Sequence, residues 1–124
     1  MIKIIAVLLG GAVGTGFRYF ISLGIYGLVK PSFPYANFFI NVSGSFIIGL
    51  LAELFETRLL VSPTIRVMLL TGVLGGYTTF SSFSFETFSL IRDGEMWLAL
   101  LNAAGSVLLG LVGVWLGVRL AQSF

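Results

Sequence analysis

Long apolar runs dominate the chain, and short polar interruptions cut them into four. The runs cover about Ile4–Leu28, Ala36–Phe55, Ile65–Ile91 and Met96–Leu120. Each supplies the roughly 20 mostly apolar residues that an α-helix needs to cross a bilayer. The interruptions hold the turn formers: Lys30-Pro31 and Pro34, then Arg58 through Pro63, then Arg92-Asp93-Gly94-Glu95. All three prolines fall there, where a missing N–H does little harm. The pattern predicts an all-α integral membrane protein, one domain over residues 1–124, with four transmembrane helices. Both termini then lie on one side. The start "MIKIIAVLLGG" has the flavour of a leader, but it reads better as the first span, since its removal would leave no soluble protein behind.

The third run is the irregular one. From Gly75 to Phe88 it reads "GGYTTFSSFSFETF", adjacent glycines followed by Ser, Thr and Glu interleaved with four Phe. Two glycines weaken a helix. Lipid is a poor solvent for hydroxyls and a carboxylate.

Composition agrees with the hydropathy. Hydrophobic residues make up 57% and charged residues only 10%, against about a quarter charged in soluble domains. Mean hydropathy is +1.06. Nothing outside the spans is long enough to build a catalytic domain, so an enzyme is not expected. Cysteine and histidine are absent, which removes thiol chemistry, disulfides, zinc sites and imidazole acid–base catalysis. The net charge of +2 is small and scattered, so there is no basic patch for nucleic acid. Lys3, Arg58, Arg66 and Arg119 fall on the terminal side, and Lys30 and Arg92 on the other, with Arg18 inside the first span. That bias is weak for setting orientation. It leaves two readings open: orientation set by another feature, or copies inserted both ways and paired antiparallel. Gly10 and Gly14, Gly72 and Gly76, and Gly113 and Gly117 are GxxxG pairs, spaced to let helix backbones approach in lipid. Four spans enclose little volume, so an oligomer is expected, most simply a dimer.

Polar residues then supply the candidate chemistry. Asn37, Asn41 and Ser45 stack at i, i+4, i+8 on the second span, and Asn102 and Ser106 repeat the device on the fourth. Thr79, Ser82 and Glu86 share a face of the third. One such residue reads as a helix–helix hydrogen bond. Three striped spans point to a path lined by neutral N–H and O–H donors, which suits an anion that must not be trapped. Arg18 reads mainly as a snorkelling side chain, with a lesser part in attracting anions. Glu86 is too short to snorkel easily. It either bonds a neighbour or is protonated. Phe80 and Phe83, three apart, present ring edges whose partial positive charge stabilises an anion weakly.

These residues resemble a known family. "GGYTTFSSFSFET" is similar to the GGxTTFSTFSxE signature of the Fluc/CrcB fluoride channels. "FFINVSGSFIIG" resembles that family's second-span Asn motif, and "GGAVGTGFRY" its first-span Gly/Arg motif. The likeness covers nearly the whole chain. It implies a broken third helix, an antiparallel dual-topology homodimer and two fluoride pathways in the cell membrane. It implies that Phe80 and Phe83 face the permeating ion, that Asn41 coordinates it, and that Ser106 belongs to a fourth-span polar track. Gly75 and Thr78 are implied to lend backbone carbonyls to a central Na⁺ shared by two copies. The chain departs from some relatives at Asn102, where they carry Tyr, and at Gly110, where they carry a hydroxyl. The function implied is passive, fluoride-selective export. Two alternatives compete with it. A four-span proton-coupled drug exporter needs a membrane-embedded Glu in its first span, and this chain has none there. A non-conducting scaffold would use the same polar groups only to bond helices.

Overall fold

The computed structural model describes residues 1–29 and 32–124. The break expected at Lys30-Pro31 lies outside the described residues. Three long helices stand out: α1 (Ile2–Leu28), α2 (Tyr35–Thr57) and α6 (Met96–Gln122). Each is long and apolar enough to cross a membrane. Among the described residues there is no strand. At about 1.5 Å per residue, even the 23 residues of α2 span more than the roughly 30 Å hydrocarbon layer.

Between α2 and α6 the chain is not one helix. It runs through α3 (Pro63–Val67), a π-helical turn (Met68–Val73), α4 (Leu74–Tyr77) and α5 (Phe80–Arg92). Ser62 caps the start, its hydroxyl accepting from the Ile65 N–H at 3.2 Å. The interruption between α4 and α5 falls at Thr78-Thr79, whose backbones are extended (Thr78 φ −85, ψ 158). That corrects the sequence expectation, which put the break at the glycines. Gly75 and Gly76 lie inside α4, and the only positive-φ glycine among the described residues is Gly94. β-Branched threonines favour extended backbone, and a side chain of α2 takes over the hydrogen bonds that the helix gives up there.

α5 ends as the sequence pattern predicts. Gly94 adopts φ +80, the Glu95 N–H donates to Leu90 O at 2.8 Å, and the Gly94 N–H donates to Ile91 O at 3.1 Å. This Schellman closure lets α6 begin almost at once.

The helices associate as two pairs. In one, α1 lies against the π turn and α4, and the two GxxxG motifs interlock. A Cβ on Gly10 would stand 2.5 Å from Met68 O, and one on Gly76 would stand 2.5 Å from Gly11 O. In the other, α2 lies along α6. There a Cβ on Gly117 would run into Phe46 O and Leu50 N, and one on Gly49 into Val114. Lipid provides no hydrophobic drive between helices, so such close backbone approach has to supply the attraction. Ile40, Leu74 and Tyr77 form a small core where the two pairs meet, with Ile40 fully buried. Large apolar side chains such as Leu8, Phe20 and Trp97 point outward. This inside-out distribution is that of a multi-pass membrane protein.

Candidate functional site

The interruption at Thr78-Thr79 leaves backbone groups without helical partners. Asn41 satisfies two of them. Its Nδ2 donates to Thr79 O at 3.1 Å, and its Oδ1 accepts from the Thr79 N–H at 2.9 Å. One side-chain amide thus stands in for a peptide neighbour and bridges α2 to the start of α5. An amide has two N–H donors, so one remains free of this bridge. Ser45, one turn along α2, donates its hydroxyl to Asn41 O at 2.7 Å. Thr79 caps α5, its Oγ1 accepting from the Ser82 N–H at 3.2 Å.

The carbonyls of Gly75 and Thr78 accept no hydrogen bond among the described residues. Gly75 is exposed, and a Cβ there would meet nothing within 4 Å. Within one chain, then, neither backbone angle nor space requires Gly at position 75. Gly76, pressed on Gly11, is the one that packing requires. Tyr77 anchors the end of α4. Its buried hydroxyl lies 2.9 Å from Ser43 Oγ on α2.

Beside the interruption runs an open groove of about 340 Å³. α2 contributes Asn41, Gly44, Ser45 and Ile48; α4 and the interruption contribute Leu74, Gly75, Thr78 and Thr79. α5 contributes Phe80 and Phe83, and α6 contributes Ser106 and Val107. The two Phe rings are 5.7 Å apart between centroids and tilted by 44°. Phe80 is 79% exposed, far more than a core aromatic would be. Ser106 Oγ is buried and has no hydrogen-bond partner. Such a group is costly in a dry interior unless something else takes its bond.

Of the residues singled out from sequence, the groove brings together Asn41, Thr79, Phe80, Phe83, Ser106, Gly75 and Thr78. Ser82, Asn102, Arg18 and Glu86 stand outside its wall. Asn102 is 1% exposed and donates through Nδ2 to Thr87 Oγ1 at 2.9 Å. Glu86 accepts from Asn37 Nδ2 at 2.6 Å, while its other oxygen is buried without a partner. It lines a second cavity of about 480 Å³ near the α5–α6 turn, together with Tyr26, Asp93 and Glu95. Arg18 is half-buried on α1, with no side-chain hydrogen bond or ion pair among the described residues. Sequence reasoning gave no role to Ser43 or Tyr77, whose bond is visible only in three dimensions. The same holds for Thr87, whose partner Asn102 lies on another helix.

Comparison with known proteins adds an independent line. Residues 5–118 match the family model described as "CrcB-like protein, Camphor Resistance (CrcB)". A protein of Geobacter sulfurreducens named "Fluoride-specific ion channel FluC" is 45% identical over 98% of each chain. Proteins of the same name from Geotalea daltonii and Solibacter usitatus are 48% and 44% identical. They cover 90% and 97% of this chain, and 90% and 98% of their own.

Proposed function

This chain belongs to the CrcB family, and from that premise we propose that it is a fluoride-selective passive channel of the cell membrane. One observation carries the reading. The groove sets an exposed pair of Phe rings against the Asn41 amide and the unpartnered Ser106 hydroxyl, with no Lys or Arg in its wall. Fluoride holds its water tightly. A run of neutral donors replaces that shell in steps without holding the ion fast. The free N–H of Asn41, the Ser106 hydroxyl and the positive edges of Phe80 and Phe83 are such steps. Thr79 and Ser82 shape the start of α5, since the hydroxyl of one caps the N–H of the other. Inside cells, HF that has entered as a neutral molecule loses its proton, and the channel lets the trapped ion leave down its gradient.

The stretch from Pro63 to Arg92 is the third of four membrane crossings, and residues 1–124 act as one membrane domain. The working unit is an antiparallel homodimer. Two features of the chain support this. The groove is open on one side, and Gly75 faces empty space beside carbonyls that lack partners. A second copy across that face would bring four such oxygens together. Hard cations such as Na⁺ take oxygen ligands, and the Gly75 and Thr78 carbonyls are the residues that would hold one. Bound there, the ion supplies positive charge between the copies.

The test is efflux from liposomes holding the purified protein. Rapid fluoride release with chloride retained is expected. Equal release of both ions, or none from a folded dimer, overturns the channel. Replacing Na⁺ with a large organic cation during purification is expected to weaken dimer cross-linking. Unchanged cross-linking removes the Na⁺ from the proposal.

A further inference from the structure

α5 is short, 13 residues, and its first residue follows an interruption, so no continuous helix fixes its rotation. Three asparagines reach it instead. Asn41 bridges its cap and Asn37 reaches Glu86, both from α2. Asn102 comes from α6 and is the most deeply buried polar side chain among the described residues. Its target is Thr87, whose hydroxyl in turn donates to Phe83 O at 2.8 Å. The donors are ordered by chemistry. Thr87 has one hydroxyl hydrogen and spends it on Phe83, so it can only accept from Asn102. The relay therefore runs from the Asn102 amide through the Thr87 hydroxyl to the backbone of Phe83. Ser106, one turn further along α6, lines the groove, whereas Asn102 does not.

We propose that Asn102 is a positioning residue: acting through Thr87, it fixes the rotation of α5 and so sets where the Phe80 and Phe83 rings stand in the groove. The inference rests on the channel reading for its consequence, which is selectivity rather than ion contact. A helix of this kind, freed at one end, turns about its axis unless side chains stop it. Hydroxyl back-bonding to the preceding turn also bends a helix locally, and Asn102 holds Thr87 in that geometry. The Phe83 ring moves with its backbone.

The test compares Asn102→Leu, Thr87→Val and the double variant in fluoride and chloride efflux from liposomes. The two singles are expected to lower the fluoride-over-chloride ratio alike, by about fivefold, the scale of one lost hydrogen bond. The double variant is expected to fall no further, because both changes cut one relay. Thr87→Ser, which keeps the hydroxyl, is expected to retain the original ratio. Additive losses, or a loss on Asn102→Leu with none on Thr87→Val, overturn the proposal and place Asn102 on the ion path. Thr87→Val is isosteric, so that arm stands where Asn102→Leu fails to assemble. A fluorine label on the Phe83 ring provides a readout independent of flux. Its resonance is expected to move equally in both single variants, and an unmoved resonance overturns the positioning role. Absence of fluoride flux in the unaltered protein overturns the channel reading instead, and leaves the ring readout to decide this one.

Discussion

The α2–α6 pair and the α5 segment are held by opposite means. Along α2 and α6 contact is mainly apolar and backbone-close: Gly49 and Gly117 sit on the partner helix with no room for a methyl, Gly113 leaves only a tight fit, and one exposed bond, Gln122 to Glu53, crosses the seam. Around α5 the fastening is polar and sparse, through Asn41 at its cap, Asn37 at Glu86 and Asn102 at Thr87. The first arrangement gives a scaffold that resists change in size. The second gives a segment whose position depends on a few directed bonds, each strong in a medium without competing water. The groove lies where the two meet, so its far wall is rigid and its near wall is set by side-chain amides.

The comparison can be broken first on its rigid side. Gly117→Leu drives a side chain into Phe46 O and Leu50 N, and overpacking of this kind costs at least ~1–3 kcal/mol. The expected outcome is loss of folded protein from detergent extracts, read by size-exclusion yield. A normal yield would show that α2 and α6 part easily. Asn41→Leu comes next. It keeps most of the volume but leaves the part-buried Thr79 N–H and C=O without their partner, at up to ~1–3 kcal/mol each. A lowered thermal midpoint and lost fluoride flux are expected together. Lost flux at an unchanged midpoint would mean that Asn41 serves the ion alone. The smallest effect on stability is expected from Phe80→Ile. Its ring is largely exposed in the chain, so stability should move within about 0.5 kcal/mol. Fluoride flux should nevertheless collapse while dimer cross-linking persists. Undiminished flux would reduce Phe80 to a bystander and the groove to a packing defect.

The helical ends were the easiest part to read from sequence. Prolines and the Arg92–Glu95 turn mark them, and α1, α2 and α6 begin and end within about two residues of the expected bounds. The glycine pairs were legible as packing surfaces, but not their partners, because i, i+4 spacing states which face is small and not what covers it. In sequence the weak point of the third span is Gly75-Gly76, because glycine has low helix propensity. The structure puts the interruption at Thr78-Thr79 because Asn41, far off in sequence, offers replacement hydrogen bonds there. The same limit applies to Asn102. Its i, i+4 relation to Ser106 suggested one shared lining, yet Thr87 takes its amide behind the wall. Polar residues in a span announce that they have partners. They do not announce which.

The π turn at Met68–Val73 has a consequence for how the chain can change length. A π turn is an α-helix with one residue too many, wound into a wider ring. Deleting a residue there would relax the backbone to ordinary α geometry, an easy change locally. It would also swing everything on one side by about 100°, and Gly72 and Gly76 would no longer face α1 together. A deletion there is therefore easy for the backbone and costly for the packing of the segments it joins. The surplus residue works like a counted tooth in a gear: it keeps the segment before Gly72 and the segment after it in step.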